Sequence, residues 1–247
     1  WCSKNNFYLN SDKCKVMSFA RKNKTTSYDY HTRGIVLVKP DVICDLGVFF
    51  DPKLSFNYHV NQIVDSAYKT LGFVIRSGRG FFDPDTLKLL LNTYVRSKLE
   101  YASLVWSPMY NINITALETI QRRFLKALIY TIDGSYPARG FPQELLLQKA
   151  SMSSLQLRRT QHSVIFLYKI LRGLYDCPYL LTKISLQANS ANTWSKSAFH
   201  IPKSRTNIGV ASPITQMIRN YADIERFIDI FSCSPADIRN DLIMSSN

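Results

Sequence analysis

The sequence predicts an α+β fold that is predominantly α-helical: a small antiparallel β portion at the N-terminus, then a three-helix bundle, then further helices. Three observations predict it. Before residue 45 the chain runs in short alternating segments of aromatic and β-branched residues, whereas from residue 56 apolar residues recur at helical spacing. The composition agrees, with 46% of 247 residues hydrophobic and 20% charged, enough to bury a core.

Taken in order, residues 1–6 read as the end of a helix, passing into a short strand at Phe7-Tyr8-Leu9. Residues 13–19 alternate like a strand, and 21–27 form a polar, basic loop. Residues 28–31 and 35–39, joined through Thr32-Arg33-Gly34, read as a hairpin, and 42–50 as one further strand. The pivot is Asp45-Leu46-Gly47-Val48-Phe49-Phe50-Asp51, where the period changes.

Val60, Ile63, Val64, Ala67, Leu71 and Val74 then share one helical face, opposite Gln62, Asp65, Lys69 and Arg76. Gly78 and Gly80 end that helix. Asp83-Pro84 pairs an N-cap with proline at the first helical position, opening a helix of roughly twenty residues through Leu87, Leu90, Leu91, Tyr94, Val95 and Leu99. Trp106-Ser107-Pro108 stops it. Thr115 and Glu118 have capping-box spacing, and the helix they introduce turns Leu117, Ile120, Phe124, Leu125 and Leu128 inward. Arg122, Arg123 and Lys126 lie about 140°, 240° and 180° from Leu117, on the outer face.

Beyond a turn-rich stretch at 133–137 the pattern predicts a short helix at 143–149. A longer one at 154–171, ended by Asp176-Cys177-Pro178, has an apolar face wide enough for burial on two sides. Residues 185–213 are rich in Ser, Thr and Asn, a composition poor in regular structure. Helical spacing returns at 214–231, and Ser234-Pro235 opens a last short helix to about residue 244.

Charge and residue chemistry narrow the function. Thirty-one Lys and Arg against 18 Asp and Glu give a net charge of +13, which favours polyanionic partners, nucleic acid first. Cys2, Cys14, Cys44, Cys177 and Cys233 are widely spaced without a CxxC pair, and His31, His59, His162 and His200 lack ligand spacing. A disulfide framework and a metal site are therefore not expected. No long apolar run or signal peptide appears, so an intracellular location, nucleus or cytoplasm, is expected, with no membrane partner. The absence of an initiator Met before Trp1 leads us to expect a piece of a longer protein.

Several blocks resemble one family. Trp1-Cys2, Lys13-Cys14-Lys15, Asp45-Leu46-Gly47-Val48, Leu54-Ser55-Phe56 with His59, Arg96-Ser97-Lys98-Leu99-Glu100-Tyr101 with Val105-Trp106-Ser107-Pro108, and Leu117-Glu118-Thr119-Ile120-Gln121-Arg122-Arg123-Phe124-Leu125 are similar to the post-catalytic part of the reverse transcriptase of jockey-like non-LTR retrotransposons. Phe166-Leu167-Tyr168-Lys169, Asp176-Cys177-Pro178, Arg205-Thr206-Asn207 and Ile228-Asp229-Ile230-Phe231 continue the resemblance, which covers nearly the whole chain.

The resemblance implies three parts: residues 1–54 as a palm remnant with a primer-grip-like hairpin, 55–132 as a helical thumb-like domain, and 133–247 as a C-terminal helical region. Leu46 and Gly47 would lie at the primer grip. The implied function is template–primer binding within an RNA-directed DNA polymerase. That polymerase needs clustered aspartates to hold two divalent ions about 4 Å apart. No two acidic residues are adjacent in this sequence. The family's Asp-Asp turn falls upstream of the Trp1-Cys2 block, so this chain is expected to hold no catalytic residue and no cofactor. Mg²⁺ is expected only in the complete polymerase, and no small-molecule substrate is implied.

The partners implied are an RNA/DNA template–primer and the missing N-terminal polymerase portion. A thumb contacts phosphates through exposed Lys and Arg, and Lys69, Arg76, Arg79, Arg122, Arg123 and Lys126 are the candidates. Each has a plainer reading: Lys69 stands four residues from Asp65, as surface ion pairs do, and Arg122, Arg123 and Lys126 suit a solvated helix face. Gly78-Arg79-Gly80 fits a phosphate nest or a helix C-cap. Phe73 fits a base-stacking ring or a packing partner of Phe81-Phe82. The alternative function is a non-catalytic helical module that binds nucleic acid or another protein.

Overall fold

The computed structural model describes residues 3–8, 10–20, 28–32, 34–78, 83–187 and 197–238. It is predominantly helical, with two small antiparallel hairpins, and divides into compact units Trp1–Gln62 and Ile63–Asn247.

In the first unit, β1 (His31–Thr32) pairs with β2 (Ile35–Val36) across a turn in which Gly34 takes φ 78°. This is the hairpin expected at 28–39, with shorter strands; Arg33 lies outside the described residues. The strand expected at 42–50 is instead a second hairpin, β3 (Ile43–Asp45) and β4 (Val48–Phe50), with Asp45 opposite Val48. The physical reason is the positive φ of Leu46 (45°) and Gly47 (82°), which reverses the chain in two residues. Residues 13–19 supply only one parallel bridge, Lys15 with Val38, and Lys13 itself closes a 3₁₀ turn, Ser11–Lys13. Ser3–Asn5 is another such turn, and Phe7 and Tyr8 form no strand.

The link from β4 to the first helix is tightly specified. Both carboxylate oxygens of Asp51 accept backbone hydrogen bonds, from Ser55 at 3.1 Å and Phe56 at 2.9 Å. They hold Leu54 and Phe56 at φ 51° and 55°. His59 is buried, and its Nδ1 accepts from the Phe49 backbone N–H at 3.3 Å.

Helix α1 (Asn57–Gly78) carries the predicted stripe, with Val60, Ala67, Leu71 and Val74 buried. After it, Asp83 caps α2 (Pro84–Leu90), accepting from Thr86 N at 2.6 Å. The single helix expected at 84–105 is broken. A π-helical turn covers Leu91–Arg96, then come α3 (Ser97–Glu100) and, after Ala102 at φ 51°, α4 (Ser103–Trp106). Trp106 is fully buried and donates through Nε1 to the Tyr101 carbonyl at 2.8 Å, which holds the break.

Helix α5 (Asn111–Asp133) buries Leu117, Ile120, Phe124, Leu125 and Leu128 as expected. It starts one turn before Thr115, however, so the capping box does not form. Glu118 instead accepts from the Gln156 backbone N–H at 2.8 Å and from Gln143 Nε2 at 3.1 Å. Tertiary partners have taken its carboxylate.

Helices α6 (Gln143–Ala150) and α7 (Leu155–Leu171) follow, with Ser154 capping α7. α7 is covered on two sides: it packs against α4 and α5, and against α10 (Pro213–Ala222). Val164, Leu167, Ile170, Phe199, Ile218 and Tyr221 share a core there. Pro178 does not end α7, which stops at Leu171; it opens the short α8 (Pro178–Leu181). The expected loop at 185–213 contains an antiparallel bridge, Leu186 with Phe199, and α9 (Asn207–Val210), while 188–196 lie outside the described residues. The helix expected at 214–231 stops at Ala222 and gives way to turns. Of the last helix only 235–238 are described.

Candidate nucleic-acid interface

Two of the predicted cations converge. In the second unit, α1, α2 and α5 enclose a groove of about 490 Å³, with Arg76 on one wall, Arg123 on the other and Tyr130, Thr131 and Tyr136 along the α5 side. The local sequence explains the arrangement. Gly72 lies one turn before Arg76, and a Cβ built on it would stand 3.2 Å from Arg76 Nη1. The guanidinium therefore folds back over Gly72, where an added Cβ would push it away by a few tenths of an ångström.

Arg123 is exposed, with its guanidinium carbon 5.8 Å from the Tyr68 ring centroid, and Lys126 Nζ stands 5.9 Å from that of Tyr136. A cation held on an aromatic face keeps its charge and its hydrogen-bond donors, unlike one spent on a carboxylate. Among the described residues no carboxylate pairs with Lys69, Arg76, Arg123 or Lys126. Lys69 stands two helical turns before Arg76, about 20° around the helix, and Phe73 between them is 63% exposed. Its proposed packing against Phe81-Phe82 lies outside the described residues, as does Arg79.

Arg122 is placed differently. It is half-buried and donates through Nη2 to the Phe141 carbonyl at 2.6 Å, tying α5 to the segment before α6. The expected cluster of three outer-face cations is thus two, with Arg122 serving as a tie.

The aromatic members of the groove were missed by the sequence reading. Tyr130 follows Arg123 by seven residues, two helical turns, so their shared face was available in the spacing. Tyr136, in the loop after α5, carried no such signal.

In the first unit, Leu46 and Gly47 form the two-residue turn at the tip of the β3–β4 hairpin, and Leu46 is 83% exposed. A large apolar residue in left-handed backbone, open to solvent, is a costly choice for a turn.

Among the described residues, there is no group of three or more His, Cys, Asp or Glu that could hold a metal ion. Cys14, Cys44, Cys177 and Cys233 are free thiols. No helix among the described residues is long and apolar enough to cross a membrane. Compared with protein families, curated proteins and solved structures, the chain matches none.

Proposed function

We propose that this chain binds a template–primer duplex through phosphate contacts, as the post-catalytic portion of a non-LTR retrotransposon reverse transcriptase, and that it does not polymerise by itself. The observation that carries the reading is the carboxylate-free groove between α1 and α5, with Arg76 and Arg123 on opposite walls and tyrosines beside them. Guanidinium groups meet phosphate oxygens irrespective of sequence, and aromatic rings add sequence-tolerant contacts. Lys69 and Lys126 extend the basic face. The sequence blocks that resemble the retrotransposon family are what suggest the duplex as the ligand.

The test is a salt titration of RNA–DNA hybrid binding, read by fluorescence anisotropy. Four phosphate contacts predict an affinity loss of roughly a hundredfold between about 50 and 200 mM salt. Absence of binding at low salt would sink the reading and favour protein docking, for which Leu89 and Tyr94, 64% and 54% exposed, are the observation in favour. Primer extension by the purified chain with Mg²⁺, an RNA template and a DNA primer, above a buffer control, would overturn the non-polymerising part.

A further inference from the structure

A second pocket, of about 430 Å³, lies between residues 107–110, the first turns of α7 and the α9–α10 segment. Arg159 lines it and is only 7% exposed. Its Nη2 lies 3.7 Å from Glu118 Oε1, while its Nη1 is buried without a hydrogen-bond partner. Leaving a charged donor unpaired below the surface is costly. Burial disfavours the charged guanidinium, and the carboxylates of Glu118 and then Glu100 favour it.

Those carboxylates are already committed. Glu118 accepts from Gln156 N and Gln143 Nε2, and Glu100 takes Arg158 through both of its oxygens and Arg96 Nε at 3.6 Å. Among the described residues, Arg96, Arg158 and Arg159 thus pair only with Glu100 and Glu118. One positive charge stays uncompensated, and it borders a cavity.

Among the described residues, the pocket wall contains no carboxylate. It offers neutral groups able to donate: the Thr160 hydroxyl and the amides of Gln156, Asn207 and Asn220. Donors spread over several elements suit the many acceptor sites of a tetrahedral oxyanion better than a planar carboxylate. The apolar wall at Pro108 and Met109 leaves room for an organic body, and the volume is that of a small-ligand site.

We propose that this pocket binds a phosphate group, with Arg159 as its charged anchor and Thr160, Gln156, Asn207 and Asn220 as neutral donors. The phosphate belongs either to a free phosphorylated compound or to a nucleic-acid strand. None of these residues lines the groove of Arg76 and Arg123, so the inference stands independently of the template–primer reading.

The experiment titrates the full chain, by calorimetry and thermal unfolding, with inorganic phosphate, a nucleoside monophosphate, a 5′-phosphorylated oligonucleotide and, at matched ionic strength, acetate. Saturable stabilisation by phosphate species and none by acetate is expected. A response to the monophosphate places the source in a free compound, and an oligonucleotide response that Asn220→Asp weakens, with none to the monophosphate, places it in a strand. Arg159→Gln should abolish the effect. Because removing a buried cation can unfold the chain, Asn220→Asp provides a second arm: it removes no arginine and should weaken phosphate binding on the order of tenfold by repulsion and by neutralising Arg159. An equal response to acetate, or unchanged phosphate affinity in folded Asn220→Asp, overturns the proposal.

Discussion

Leu46 carries two costs at once: an apolar side chain in water and an L-residue at φ 45°. Asparagine before Gly47 is the preferred pair for a two-residue hairpin turn with positive φ at both positions. Leu46→Asn should therefore raise stability by about 0.5–1 kcal/mol, read as a higher unfolding temperature. If the turn contacts the primer, the same variant should weaken duplex binding. A stabilised variant with unchanged binding would remove Leu46 from the proposed interface. His59 adds a pH dependence within the same unit. Burial holds its imidazole pKa below the ordinary value of 6.5, and the Phe49 N–H bond needs Nδ1 unprotonated. The unfolded chain binds a proton near 6.5 where the folded chain resists it, so this contribution is complete above that pH and lost as pH falls below it. Thermal unfolding followed from pH 7.5 to about pH 5 should show a decline that His59→Gln reduces.

At the scale of elements, one buried side chain joins α5 to the start of α7. Gln121, 3% exposed, donates through Nε2 to the Ser153 carbonyl at 2.8 Å and accepts from the Leu155 N–H at 3.1 Å. Gln121→Met keeps the volume but orphans two backbone groups, and should cost about 2–4 kcal/mol in chemical denaturation. A loss below about 0.5 kcal/mol would mean that solvent replaces both partners. The same scale explains what was legible in sequence. The long helices α1, α5 and α7 were, because each buries a stripe of period 3.6. The segment after Pro84 was not. Leu87, Leu91, Val95 and Leu99 are all buried at intervals of four, a spacing that drifts about 40° per step on a regular α-helix. The wider π-helical turn at Leu91–Arg96 takes up that drift, a solution dictated by packing. Thr115 and Glu118 likewise had capping spacing, but the partners on α6 and α7 that claimed Glu118 lie 25 and 38 residues away and leave no mark in local sequence. The candidate site divides the same way: Lys69, Arg76 and Arg123 were readable from helical faces, whereas Tyr136 entered through a loop.

For the whole molecule, the question is whether the groove or the net charge of +13 binds the polyanion. A strongly basic chain attracts any duplex at low salt, so weak binding alone decides nothing. Charge reversal at matched net charge separates the two. Arg76→Glu with Arg123→Glu alters both walls of the groove. Lys4→Glu with Lys203→Glu makes the same change in net charge at exposed positions outside it. If the groove holds phosphates, the first pair should flatten the slope of log affinity against log salt by about 2, since each lost contact withdraws about 0.9. The second pair should flatten it by less than about 0.5, as long-range attraction is screened within about 10 Å at 0.1 M salt. The loss in the groove variant should be similar for duplexes of unrelated sequence, because phosphates carry no sequence information. Equal slopes for the two variants would assign binding to overall charge, and a loss confined to one sequence would replace phosphate contact with base readout.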